Sequence, residues 1–210
     1  MIRTLDNVDH LVYAVPILEK GITEIEEKLG VAPVLGGQHR SQGTHNALVH
    51  LGRNCYLEII APDPTNDTFT GQRWMGIDLV TIPKITRWAV KSSDLDRDRA
   101  YLSTVDPRLG DLKGGARKKT DGTKLIWKAS ITLPEPEVEL LPFIIDWKGK
   151  EHPTKSLPQV CKLIELRGMH PTPYMAEAAV HSLNIDMKMG VADQPVITAL
   201  IQTPNGVVEL

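Results

Sequence analysis

The sequence predicts an α+β fold: repeated βαβββ units whose strands curl into a partly open β-barrel, with the helices outside. Three observations predict it. The chain opens on Val8–Val15, a strand-like run apolar on both pleat faces apart from His10, which is the pattern of a sheet covered on both sides. An amphipathic helix and a hairpin follow, and this strand, helix, hairpin order starts again near Lys84 and near Lys162. The repeat spacing exceeds that of common solenoids, so the units read as modules of one curved sheet. A single domain over 1–210 is expected, with internal modules at about 7–62, 84–147 and 160–210.

Each element has its own signal. Leu18, Ile22, Ile25 and Leu29 form one apolar helical stripe, and Gly30 is placed to stop the helix in the left-handed conformation. Val31–Leu35 reads as a short extended piece, followed by a glycine-bearing loop that carries His39 and Arg40. Asn46–Leu51 and Cys55–Ile60 are strands joined by Gly52-Arg53-Asn54. Gly71–Pro83 is a connector containing Trp74 and Met75. In the second unit Ile85–Lys91 is a strand, Ser93-Asp94-Leu95-Asp96 fits a capping box, and Asp106-Pro107 ends the helix. Lys113–Lys118 and Lys124–Leu133 flank a turn at Thr120-Asp121-Gly122-Thr123, and Val138–Trp147 completes the unit. After a proline-bearing linker, Glu151–Pro158, the third unit has a strand at Lys162–Met169. Thr172 and Pro173 open a helix with Met175, Ala179 and Leu183 buried, and a hairpin closes the chain over Val196–Gln202 and Val207–Leu210.

Composition narrows the function. With 210 residues, 41% of them hydrophobic, the chain can bury a substantial core. A net charge of −2 gives no basic field for nucleic acid. No apolar run approaches the ~20 residues that cross a bilayer. Cys55 and Cys161 stand alone and the N-terminus lacks the apolar core of a signal peptide, so a reducing, cytoplasmic setting is expected. Dinucleotide, P-loop and G-x-S-x-G motifs are absent.

The candidate site starts from His10 and Glu58. Imidazole with carboxylate suits a divalent metal, while a core histidine beside a wet strand end is the plainer reading of two residues so far apart. Glu58 interrupts an apolar strand, so it must pair, bind a ligand or point into a water-filled cavity, and general base is an alternative role. Laying the units over one another places Arg87 and Glu165 at the position of His10, and Glu209 at that of Glu58. Arg87 fits equally a clamp on a carboxylate or phosphate and a structural ion pair. His45, Asn46 and Arg40 are candidate substrate contacts near the pocket mouth. His39 reads as a surface-loop residue, His152 as linker, His50 and His181 as surface histidines, and Arg117-Lys118-Lys119 as a solvated turn.

Several stretches together resemble a known family. They are Val8-Asp9-His10-Leu11-Val12, Gly43-Thr44-His45-Asn46-Ala47-Leu48, Tyr56-Leu57-Glu58-Ile59-Ile60-Ala61, Arg73-Trp74-Met75-Gly76-Ile77-Asp78, Leu141-Pro142-Phe143-Ile144-Ile145-Asp146-Trp147 and the terminal Gly206-Val207-Val208-Glu209-Leu210. The chain is similar, over nearly its whole length, to glyoxalase-like domains of the vicinal oxygen chelate superfamily. That resemblance implies paired βαβββ modules around a divalent ion (zinc, iron, manganese or nickel) that chelates two neighbouring substrate oxygens. Ligands would be His10, Glu58 and Glu209. Glu58, Glu209 and Arg87 would be catalytic, and His45, Asn46, Arg40 and Glu165 would touch substrate. The sequence departs from the pattern where Arg87 replaces a His or Gln, and where no glutamate stands near Phe143. Two functions follow as expectations. One is a metal-dependent isomerase, lyase or dioxygenase acting on a small oxygenated metabolite. The other is a non-catalytic small-molecule binding protein. Open sheet edges make a homodimer the expected assembly.

Overall fold

The structure, a computed structural model, describes residues 4–118, 122 and 124–210. The first unit contains β1 (Val8–Ala14), α1 (Leu18–Leu29), β2 (Val34–His39), β3 (Thr44–His50) and β4 (Tyr56–Pro62). The second contains β5 (Lys84–Lys91), α2 (Leu95–Val105), β6 (Leu112–Lys118), β7 (Lys124–Ser130) and β8 (Phe143–Asp146). Then follow β9 (Lys162–His170), α3 (Tyr174–Ser182), β10 (Met187–Val191), β11 (Val196–Thr203) and β12 (Gly206–Glu209). The turn expected at Thr120-Asp121-Gly122-Thr123 lies, apart from Gly122, outside the described residues.

β1 is the hinge of the sheet. It pairs in parallel with β4 and antiparallel with β5, and β4-β3-β2 and β5-β8-β7-β6 run outward from it on its two sides. The far strands β2 and β6 meet at a single pair, Gln38↔Lys118, so the sheet curls into a cup without a continuous closing wall. The register His10↔Ala89, Leu11↔Trp88, Val12↔Arg87 relates the halves by an approximate two-fold beside Leu11 and Trp88. Under it His10 corresponds to Arg87. Glu58, partner of Val12, corresponds to Phe143, partner of Ala89.

Strand alternation decides what enters the cup. Leu11, Tyr13, Val15, Leu57 and Ile59 pack outward under the helices, with Leu18, Ile25 and Leu29 of α1. His10, Val12, Ala14, Tyr56, Glu58 and Ile60 lie on the other face, where Val12, Ala14 and Ile60 join Met75, Trp127 and Phe143 in a second cluster. Gly21 lets α1 approach: a Cβ there would stand 2.8 Å from the Val15 methyls.

Segment 160–210 is wired differently. β9 pairs in parallel with β10 and antiparallel with β11, β12 pairs with β11, and β11 reaches β5 through Ile197↔Ile85. β12 therefore does not stand beside β9 as β4 stands beside β1. Strand β10 lacked a sequence signal, and of the stripe expected on α3, Ala179 and Leu183 are buried. Ala176, Ala179 and Val180 are its buried residues, while Met175 is exposed. Thr172 does not cap the helix; its backbone N–H donates to His170 Nδ1 at 2.9 Å. In α2, by contrast, Asp94 is the cap and accepts from the Arg97 N–H.

Candidate functional site

β1 carries a bulge between Val8 and His10, where Asp9 has no partner on β5. A bulge turns the extra residue out of strict alternation, and it lets two consecutive side chains meet. Asp9 Oδ1 accepts a hydrogen bond from His10 Nδ1 at 2.7 Å. Its other oxygen accepts from Trp147 Nε1 at 3.0 Å and from His152 Nε2 at 3.2 Å. Asp9 is fully buried. Burial alone pushes its carboxyl up, but the hydrogen bonds from His10 and His152, with their charge, outweigh this and hold it well below the usual carboxylate range. An ionised Asp9 can only accept, so His10 keeps its proton on Nδ1 and turns Nε2 toward the cup.

His10 Nε2 lies 3.7 Å from Glu58 Oε2, and both residues are buried. Tyr56 stacks on the His10 ring at 4.6 Å and Phe143 meets its edge at 5.3 Å. The other Glu58 oxygen accepts a hydrogen bond from Asn46 Nδ2, and Asn46 Oδ1 accepts from Arg117 Nη1 at 3.1 Å. Gly36 makes this meeting feasible, because a Cβ there would fall 2.2 Å from Asn46 Oδ1 and 2.6 Å from Arg117 Nη1. His39 stands 3.9 Å from Glu58 Oε1 through its Nε2, while its Nδ1 contacts Thr44 Oγ1 at 3.2 Å. Burial, with the charges of Arg117, His10 and His45, outweighs the attraction of Glu58 and pushes the His39 imidazole down to about 4. His39 is therefore neutral at pH 7.

Two adjoining spaces open beside these groups. The inner one, about 40 Å³, is bounded by His10, Tyr56, Glu58, Arg117, Trp127 and Trp147 among others. The outer one, about 110 Å³, is bounded by Lys113, Gly115 and Ser41 and shares His39, Trp74 and Trp127 with the inner. Trp74 is set there by two consecutive left-handed residues, Met75 (φ 61°) and Gly76 (φ 72°), and a Cβ on Gly76 would come within 2.4 Å of the Glu137 carbonyl oxygen. Trp127 faces Gly115 across the β6–β7 ladder, where a Cβ would collide with its indole at 2.3 Å.

Among the sequence candidates the structure brings together His10, Glu58 and Asn46. Arg87 serves another purpose. Its guanidinium donates to the carbonyls of Thr86, Leu133, Pro136 and Glu137, pinning the 133–137 segment, and burial lowers it to about 10. Glu165 pairs with Arg167 and Lys188, and Glu209 pairs with Arg167 at 3.0 Å on the exposed edge strand; neither lines the cup. Arg40 is exposed, its carbonyl held by Asn66 Nδ2. His45 neighbours Asn46 on β3 and so points to the opposite face. His39 and Arg117, read from sequence as loop and turn residues, are buried wall residues instead. His152 reaches Asp9 from the linker. His50 is also buried, with Nδ1 accepting from the Gly52 N–H at 2.9 Å.

The divalent ion that the resemblance implies meets a one-sided donor set. The two-fold mates of His10 and Glu58 are Arg87 and Phe143, and neither supplies a ligand. Asn46 occupies one Glu58 oxygen, and the Arg117 cation already belongs to the same network. Among the described residues no group of three or more His, Cys, Asp and Glu side chains has the geometry to hold a metal ion. These residues do not fit the ion, and no step below passes through one.

Comparison with known proteins agrees with this architecture. No curated protein matches the chain. A hypothetical protein from Staphylococcus aureus superposes with a TM-score of 0.67 at 11% identity, covering 90% of this chain and 87% of that one. Methylmalonyl-CoA epimerase from Mycobacterium tuberculosis gives 0.40 at 20% identity, over 66% of this chain and 85% of its own. A Streptomyces coelicolor methylmalonyl-CoA epimerase in complex with 2-nitronate-propionyl-CoA gives 0.45 at 15% identity, over 72% and 99%. The family model described as "Glyoxalase-like domain" matches residues 8–184. The chain therefore belongs to the glyoxalase-like domain family.

Proposed function

We propose that the chain is an acid–base enzyme of isomerase or lyase type, moving a proton on a small oxygenated metabolite without a metal. The observation that carries the reading is the line Asp9–His10–Glu58. A buried carboxylate orients an imidazole whose free nitrogen faces a second buried carboxylate across 3.7 Å, at a cavity wall. Glu58 Oε2, the oxygen not held by Asn46, takes a proton from carbon next to a carbonyl, and the electron pair moves onto the carbonyl oxygen. His10 Nε2, free because Asp9 holds the ring proton on Nδ1, takes that proton over from Glu58, and the imidazolium, balanced by Asp9, returns it to the neighbouring atom. The 3.7 Å gap is too long for a hydrogen bond and leaves the two groups free to address substrate.

The aromatic walls favour a second reading, a protein that binds and sequesters the same kind of molecule. The test is proton exchange. The protein is incubated in deuterated buffer with a panel of enolisable carbonyl compounds, and loss of the α-proton signal is followed by NMR. Exchange that falls by roughly 10²–10⁴ in Glu58→Gln supports the enzyme. Binding of panel members with no exchange in the wild type supports sequestration and overturns it. Buried, free Cys55 and Cys161 support a reducing, cytoplasmic setting, and the open edges at β10 and β12 support a homodimer. No helix among the described residues is long and apolar enough to cross a membrane.

A further inference from the structure

The cavity beside His10 and Glu58 holds features that proton transfer alone does not use. Arg117 Nε and Trp74 Nε1 are buried and have no hydrogen-bond partner among the described residues, and both residues line the inner space. Buried N–H groups are almost always satisfied, so two orphans on one cavity point to an acceptor oxygen supplied by a ligand. Arg117 is fixed by its Nη1 bond to Asn46, which also holds Glu58, so one network sets both the cation and the base.

The walls describe the rest of the ligand. Trp74 and Trp127 bound both spaces, and Trp147, Tyr56 and Phe143 surround the inner one. The outer space is about 110 Å³ and the inner about 40 Å³, and they share His39, Trp74 and Trp127 as walls. A dry cavity of roughly 150 Å³ is the size that takes up benzene. One planar ring fills such a volume.

We propose that the cavity takes an aryl carbonyl compound. Its ring lies between Trp74 and Trp127, its carbonyl oxygen accepts from Arg117 Nε and Trp74 Nε1, and its α-carbon is toward Glu58. This rests on the acid–base reading above and names the substrate class of that site. Arg117 then stands where negative charge develops on oxygen as the enolate forms.

The test separates ring from oxygen with three small probes. Acetophenone has both, toluene only the ring, acetone only the carbonyl. Binding to the ¹⁵N-labelled full chain is followed by NMR through the indole and arginine Nε–H peaks. Acetophenone should move the Trp74 indole and Arg117 Nε–H peaks downfield and bind about tenfold tighter than toluene, as expected for one charge-assisted hydrogen bond. Acetone should bind far more weakly than either. In Arg117→Met the advantage of acetophenone over toluene should vanish. Trp74→Phe, which keeps the wall and removes one donor, should reduce it and keeps the test decisive if the arginine variant does not fold. Toluene binding as tightly as acetophenone, or acetophenone leaving both N–H peaks unmoved, overturns the proposal. Tight acetophenone binding without exchange in the wild type would sink the acid–base reading and leave this inference standing. Glu58-dependent exchange confined to non-aromatic carbonyls would overturn this inference alone.

Discussion

Asp9 Oδ1 lies 2.7 Å from His10 Nδ1, although the two residues are consecutive on one strand. Regular alternation would send them to opposite faces. The β1 bulge brings them together, and it thereby decides which imidazole nitrogen faces Glu58. Asp9→Asn should lower turnover by about 10²–10⁴, because an amide no longer enforces the tautomer or balances an imidazolium. Steady-state rates in Asp9→Asn, normalised to folded protein, check this; a loss under threefold would show that the pair is structural.

Asp9 also sets an acid limit on stability. Its folded carboxyl titrates below the ordinary value, so its contribution is full above the unfolded value near 3.9 and is lost as pH falls toward the folded one. Thermal unfolding of Asp9→Asn should therefore show a lower Tm at neutral pH and a flatter decline below about pH 4. Parallel curves for the two proteins across that range would contradict the assignment.

His39 acts in a higher window. Its folded value is about 4 and its unfolded value near 6.5. The neutral ring is the folded form, so its contribution is intact above pH 6.5 and is lost as pH falls from there to 4. The difference corresponds to about 3 kcal/mol. His39→Gln should remove the slope in Tm between pH 6.5 and 4, while keeping the steeper fall below pH 4 that belongs to Asp9.

Sequence patterning carried the fold a long way. The strand signals at Val8–Val15 and Cys55–Ile60 made one shared cavity for His10 and Glu58 conceivable if the sheet curled, and the β1–β4 pairing brings the two within 3.7 Å. Overlay of the units anticipated that Arg87 takes the place of His10 in the second half, as the β1–β5 register shows. What stayed hidden depended on irregular backbone or distant pairing. Asp9 enters the site only through a bulge. β2 continues past Gly36-Gly37 by means of another register shift, which carries His39 to the wall instead of into a loop. Arg117 lies in a short basic run that looks solvated until β6 folds beside β2. Glu209 misled because a matching tripeptide does not imply a matching strand order, and β12 lies at an edge.

Gly36 offers a test of the polar network. Gly36→Ala places a methyl against Asn46 and Arg117, and Asn46 is a short side chain held at both ends. Activity should fall by more than tenfold, with a loss of stability of about 1–3 kcal/mol. Unchanged activity would mean that Asn46 does not position Glu58.

Arg87 is expected to behave oppositely. Arg87→Met strands four carbonyls and should cost about 3 kcal/mol of stability, while kcat/KM per folded molecule stays within about twofold of wild type. A large drop in kcat/KM with an unchanged Tm would restore Arg87 to the catalytic site.

The central claim is proton transfer between Glu58, His10 and substrate in a site whose donors do not fit a metal. The most direct measurement is the α-proton exchange rate of the full chain after exhaustive chelator treatment, with metal content measured on the same sample. We predict a rate equal to that of the untreated protein, lost by about 10²–10⁴ in Glu58→Gln. A rate abolished by the chelator and restored by a stoichiometric divalent ion would contradict the account.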